Sequence, residues 1–137
     1  MLTKDTILYR KAFAFAVRVV KLHRYLIGEK KEVVLSKQLL RSGTSIGAYI
    51  SEANGAISPS DFSSKISIAY KEPLESKYWL SLLKETEFIT ESARCSLYKD
   101  GDELSKILFS VLRTTRLKSH STQEFLINVH CSLLIDH

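Results

Sequence analysis

Apolar residues recur at intervals of three and four along most of this chain, the spacing that lines one face of an α-helix. Over residues 6–27, Leu8, Ala12, Phe15, Val19, Leu22 and Leu26 share a face at about 100° per residue. Tyr9, Phe13, Ala16 and Val20 widen that stripe, and Arg10, Arg18, Lys21 and Arg24 gather opposite it. Gly28 supplies a stop signal. The charged link Glu29-Lys-Lys-Glu32 leads into a second helix over 33–54, with Leu35, Leu39, Ser42, Gly43, Ile46, Tyr49, Ile50 and Ala53 inward. Lys37, Arg41, Ser45 and Glu52 form its outer side. Gly43 and Gly47 each cost a helix about 1 kcal/mol relative to alanine, so their presence predicts close backbone approach.

The third helix has a readable start: Ser58 as N-cap, Pro59 in the first helical position and Asp61 completing a capping box. It is expected to run to about Thr90. Phe62, Ile66, Ala69, Ser76, Leu80 and Leu83 make one seam, and a second stripe of Ile68, Trp79 and Leu82 includes Glu72 and Glu75. A helix apolar on two sides has more to cover than one neighbour can reach, so Ile68, Glu72, Glu75, Trp79 and Leu82 are the expected oligomer interface. Pro73 deletes the hydrogen bond to Ala69 and predicts a kink. Asp100-Gly-Asp-Glu103 reads as the capping box of a fourth helix running to about Lys118, with Leu104, Ile107, Leu108, Val111, Leu112 and Thr115 inward. Four such segments with short links predict an all-α, antiparallel up-down four-helix bundle over 1–118. Residues 119–137 form a tail in which Glu124-Phe-Leu-Ile-Asn-Val-His130 suits a strand, a short helix or a docking peptide equally.

Composition agrees with a single globular domain: 137 residues, 45% hydrophobic and 26% charged, with too few prolines and glycines for an all-β fold. Charge adds more. Residues 1–41 carry ten Lys/Arg against three Asp/Glu, a net +7, while the rest of the chain is near balance. That asymmetry suits an acidic partner, either nucleic acid or an acidic protein surface, and also suits a merely solvated face. Arg10, Arg18, Lys21, Arg24, Lys37 and Arg41 are the candidate phosphate contacts. No zinc-finger, RRM, KH or helix-turn-helix pattern accompanies them, so base-specific reading is not expected. No apolar run reaches the ~20 residues of a membrane span and charges interrupt the N-terminus early, which predicts no membrane association and a cytoplasmic protein.

Chemistry finds little foothold. Gly43-Thr-Ser-Ile-Gly47 lacks phosphate-loop spacing and lies within a helix. Glu52, Glu72 and Glu75 lack the Glu-x-x-His partners of a di-metal bundle and read as ion-pairing groups. His120, His130, Cys131 and His137 match no common zinc spacing. Cys95 and Cys131 read as free thiols. Cys95 has Arg94 beside it, but nothing else marks a nucleophile. No cofactor and no catalytic residue is expected.

Three stretches then carry a resemblance: Gln38-Leu-Leu-Arg-Ser-Gly-Thr-Ser-Ile-Gly-Ala-Tyr-Ile-Ser-Glu-Ala, Ser60-Asp-Phe-Ser-Ser-Lys-Ile-Ser-Ile-Ala-Tyr-Lys-Glu72 and Glu75-Ser-Lys-Tyr-Trp-Leu-Ser-Leu-Leu83. Together they resemble the bacterial four-helix bundle protein family, also named for intervening sequences within 23S rRNA genes, over about residues 9–118. The resemblance implies an up-down bundle assembling into a ring, commonly a pentamer, with no catalytic motif. A related branch, the accessory proteins of diversity-generating retroelements, implies a basic barrel that binds a reverse transcriptase and nucleic acid. By that similarity Arg10, Arg18, Lys21, Arg24 and Arg41 are nucleic-acid candidates. Pro73 and the tail 119–137 depart from the family pattern. The reading is a non-enzymatic oligomeric bundle, pentameric by resemblance, that binds RNA or DNA without sequence specificity. The alternative is a protein-interaction scaffold with no nucleic-acid role, whose basic face meets acidic residues such as Glu72 and Glu75 of a neighbour.

Overall fold

The computed structural model describes residues 6–119. Expectations for the tail beyond Ser119, including its histidines and Cys131, lie outside the described residues. Four helices follow one another: α1 Ile7–Gly28, α2 Val34–Asn54, α3 Pro59–Glu85 and α4 Glu91–Ser119. They form the expected four-helix bundle, with no strand among the described residues.

Each helix starts where side chains can satisfy free backbone N–H groups. The Thr6 hydroxyl accepts from the Tyr9 N–H at 3.2 Å. The link before α2 supplies its own cap, since the Glu32 carboxylate accepts from the N–H groups of Leu35 and Ser36. Ser58 accepts from Asp61 N–H at 3.0 Å, as its spacing predicts. The return bond differs by one residue: the Asp61 carboxylate accepts from Ile57 N–H rather than from Ser58.

Three boundaries depart from the sequence reading. Gly28 is not the stop of α1. The helix includes it, and the chain turns at Lys31, which holds a left-handed φ of 56°. Helix α3 ends at Glu85, not near Thr90. Its end is a Schellman motif, with Phe88 N–H donating to Leu83 C=O and Glu87 N–H to Lys84 C=O. Glu87, at φ 67°, occupies the place where glycine is usual, so no residue type announced the end. Helix α4 begins ten residues earlier than Asp100-Gly-Asp suggests, behind Thr90, whose hydroxyl accepts from Ala93 N–H at 3.1 Å. Leu97, Gly101, Leu104, Leu108 and Leu112 are all buried and keep one helical face across that motif. Pro73 is buried inside an uninterrupted α3.

Neighbouring helices run antiparallel, as the pairs across each seam show. Ala12 faces Gly47 and Val19 faces Gly43 between α1 and α2. Glu52 meets Lys65, and Ser42 meets Ser76 at 2.8 Å, between α2 and α3. Lys84 meets Glu91 and Lys77 meets Asp102 between α3 and α4. Arg18 meets Asp100 and Lys11 meets Glu103 between α4 and α1, the least extensive seam. Phe15, Val19, Leu26, Leu39, Ile46, Ile66, Leu80 and Leu104 are fully buried between these seams.

The two glycines of α2 differ. A methyl group at Gly43 would stand 2.8 Å from both γ carbons of Val19, whereas at Gly47 its nearest neighbour would be Ala12 Cβ at 3.8 Å. Only Gly43 therefore requires close approach. Val19 is fully buried and β-branched, so it cannot swing aside cheaply. Overpacking of about 1–3 kcal/mol outweighs the helix-propensity gain of about 1 kcal/mol at Gly43 but is absent at Gly47. Gly43→Ala is expected to lower the urea midpoint and Gly47→Ala to leave or raise it. Val19→Ala should relieve most of the Gly43→Ala penalty in a double-mutant cycle.

Candidate nucleic-acid interface

The basic first third of the chain divides into engaged and unengaged cations. Arg18 projects from α1 toward α4, where its guanidinium pairs with Asp100 at 2.5 Å and donates to Ser96 Oγ at 2.8 Å. Arg41 projects from α2 over α3 and pairs with Glu72 at 3.4 Å and with Glu75. Arg10, Lys21, Arg24 and Lys37 make no ion pair among the described residues, and all are exposed. So the structure does not bring the candidate cations into one group. Arg10, Lys21 and Arg24 share the outermost line of α1, Lys37 opens α2, and Arg18 and Arg41 sit on helix seams.

Lys30 and Lys31, in the turn between α1 and α2, are likewise exposed and unpaired among the described residues. They extend the same patch, although in sequence they read only as a charged linker. Within residues 6–115, Lys71 and Lys99 apart, every cation with neither an ion pair nor a ring contact to another described residue lies on α1, in this turn, or in the first turn of α2.

Phe13 also departs from expectation. Counted with the inner stripe, it is 59% exposed, on the same outer line as Arg10, Val17, Lys21 and Arg24. Its ring stacks against Tyr9, with centroids 6.2 Å apart and planes 21° from parallel. Helical periodicity places Phe13 beside Tyr9 and Val20 but cannot say where the covering neighbour stops.

The expected interface residues Ile68, Glu72, Glu75, Trp79 and Leu82 are all half-buried along the edge of α3 that borders α2. Trp79 Nε1 donates to Glu75 at 3.0 Å, so indole, carboxylates and Arg41 form one polar cluster. Tyr78, 60% exposed, packs edge-on to Trp79, and Leu74 is exposed on the same helix. The Glu72 carboxyl titrates above the usual carboxylate range. Burial disfavours its charge and Glu75 repels it, while Arg41 acts in the opposite direction.

Other candidate groups are used structurally. Glu52 pairs with Lys65 at 3.1 Å. Cys95 is exposed on the second turn of α4, and Arg94 beside it turns to Glu91 and the Tyr98 ring. His23 Nδ1 lies 2.6 Å from Ser36 Oγ, but Ser36 is fully buried and ties α1 to α2. Among the described residues no three of His, Cys, Asp and Glu come together, and no helix is long and apolar enough to cross a membrane.

Residues 4–110 match the family described as 23S rRNA-intervening sequence protein. A protein of unknown function from the S23 ribosomal protein family of Bacteroides thetaiotaomicron, solved by crystallography, is 49% identical with a TM-score of 0.76. The similarity covers 77% of this chain and 98% of that one. No curated protein matches.

The Arg41 cluster yields a pH test. A folded carboxyl with a raised pKa holds its proton more tightly than the unfolded chain does, so its ionisation subtracts stability as pH rises. The effect begins near the ordinary value of 4.5 and is complete above the folded pKa. Glu72→Gln is expected to flatten this fall in urea midpoints measured between about pH 4.5 and 7. A steeper fall in the variant would contradict the assignment.

Proposed function

The chain belongs to the 23S rRNA-intervening sequence protein family, and we propose that it is a non-enzymatic helical bundle that binds nucleic acid without reading its sequence. The binding surface is the outer face of α1, the turn after it and the head of α2. One observation carries this reading: the distribution of unmatched charge. Most described carboxylates are already ion-paired within the chain or cap a helix, and only those of Glu29 and Glu87 have no such partner among the described residues. Within residues 6–115 the unmatched cations other than Lys71 and Lys99, namely Arg10, Lys21, Arg24, Lys30, Lys31 and Lys37, are concentrated in one stretch. Cations on a rigid helix, unengaged by their own chain, can meet phosphates and release counterions.

Assembly into several copies is part of the proposal. Exposed Tyr78 and Leu74 beside half-buried Ile68, Trp79 and Leu82 leave apolar surface on α3 for a neighbour. The pentameric order rests on the family resemblance alone. Glu72 and Glu75 are held by Arg41 of their own chain, which weakens the alternative in which they receive a neighbour's basic face.

Binding to a mixed-sequence RNA pool, followed by fluorescence anisotropy across a salt series, tests the reading. Affinity should fall steeply with salt and depend little on sequence. Lys21→Ala with Arg24→Ala should reduce the log–log salt slope by about 2, roughly one per cation. Arg18→Ala, which removes a cation matched by Asp100, should leave the slope nearly unchanged. Absence of binding at low salt overturns the nucleic-acid role and leaves the interaction scaffold.

A further inference from the structure

We propose that the outer face of α1 takes single-stranded in preference to duplex nucleic acid, with Phe13 as a platform on which a base stacks. The inference rests on the phosphate-binding role assigned to the same face and adds the class of strand it accepts.

Phe13 is 59% exposed, yet it is not loosely placed, because Tyr9, itself half-buried, stacks on its ring. It stands three residues after Arg10, with Val17, Lys21 and Arg24 following at intervals of four, four and three. At 1.5 Å per residue the line from Arg10 to Arg24 spans about 21 Å, room for several nucleotides. Cations alone serve duplex and single strand alike. An aromatic ring set among them does not, because a duplex shows phosphates outward and keeps its base faces stacked inside. A single strand can turn a base onto the ring while neighbouring phosphates meet Arg10 and Lys21, and every base offers a π-face, so stacking tolerates any sequence.

A second copy of the chain is a poorer occupant of this face. A two-fold contact would press Arg10, Lys21 and Arg24 against their own equivalents. A contact with another part of the copy would find few unmatched carboxylates, since Glu29 and Glu87 are the ones without an ion pair or a capping role among the described residues.

The experiment compares a labelled mixed-sequence single strand with the duplex formed from it and its complement. It uses the full chain and its Phe13→Ala and Phe13→Trp variants, with light scattering on each. Phe13→Ala, on an exposed position, is expected to weaken single-strand binding about ten-fold, to leave duplex binding unchanged and to keep the assembly mass. Phe13→Trp should retain single-strand affinity. If Phe13→Ala leaves single-strand affinity intact while Lys21→Ala with Arg24→Ala reduces it, the stacking inference fails and the phosphate reading stands. A change of assembly mass in Phe13→Ala makes the ring a contact between copies and overturns the inference. If the unmodified protein binds neither strand form, both readings fail together.

Discussion

A methyl group on Gly43 would lie 2.8 Å from the Val19 side chain, closer than real carbons come. The distance between α1 and α2 is set at that point, and much of the bundle follows from it. With the two helices this close, Ala12 lies against Gly47, and His23 reaches Ser36 at 2.6 Å. On its other side α2 meets α3 through Ser42 and Ser76, again small residues, whose hydroxyls satisfy one another in the interior. Helix α2 is thus held tightly from both sides by its least bulky positions. Large side chains such as Phe15, Ile46 and Leu80 fill the space behind them.

The charged residues divide along the same lines. Ion pairs such as Arg18–Asp100, Lys11–Glu103 and Lys77–Asp102 stitch helix seams near the surface, where each contributes about 0–1 kcal/mol. Their contribution to stability is small beside that of the buried apolar side chains. Their larger consequence is to remove cations from availability. Arg18 and Arg41 look equivalent to Arg10 and Lys21 on a charge map of the chain, yet only the latter two face solvent without a partner among the described residues. The candidate interface is therefore defined as much by which cations the fold consumes as by which it displays.

Much of the fold was legible in advance. The inner faces of α1 and α2, the Ser58 start of α3 and the family-bearing stretches of α2 and α3 all depend on neighbouring residues, and local spacing reports local structure. The misread boundaries have definite causes. The end of α3 uses Glu87 in a left-handed conformation where a glycine would have been a signal. The start of α4 relies on Thr90, a quieter cap than the Asp-Gly-Asp run that burial of Gly101, against Lys77 and Phe15, turned into a packing site. Gly43 and Gly47 look alike in the sequence because both are glycines on one helix, although only Gly43 faces a wall.

The sequence by itself determined the number of helices, which face of each turns inward and where net positive charge accumulates, because these follow from periodicity and composition along a continuous stretch. Tertiary structure alone decided which of those charges stay unmatched. Arg18 finds Asp100 82 residues away, and Arg41 finds Glu72 and Glu75 31 and 34 residues away, so no local pattern could pair them. It also decided that Phe13 lies in the open among cations, since the width of a buried stripe depends on how far the neighbouring helix extends over it.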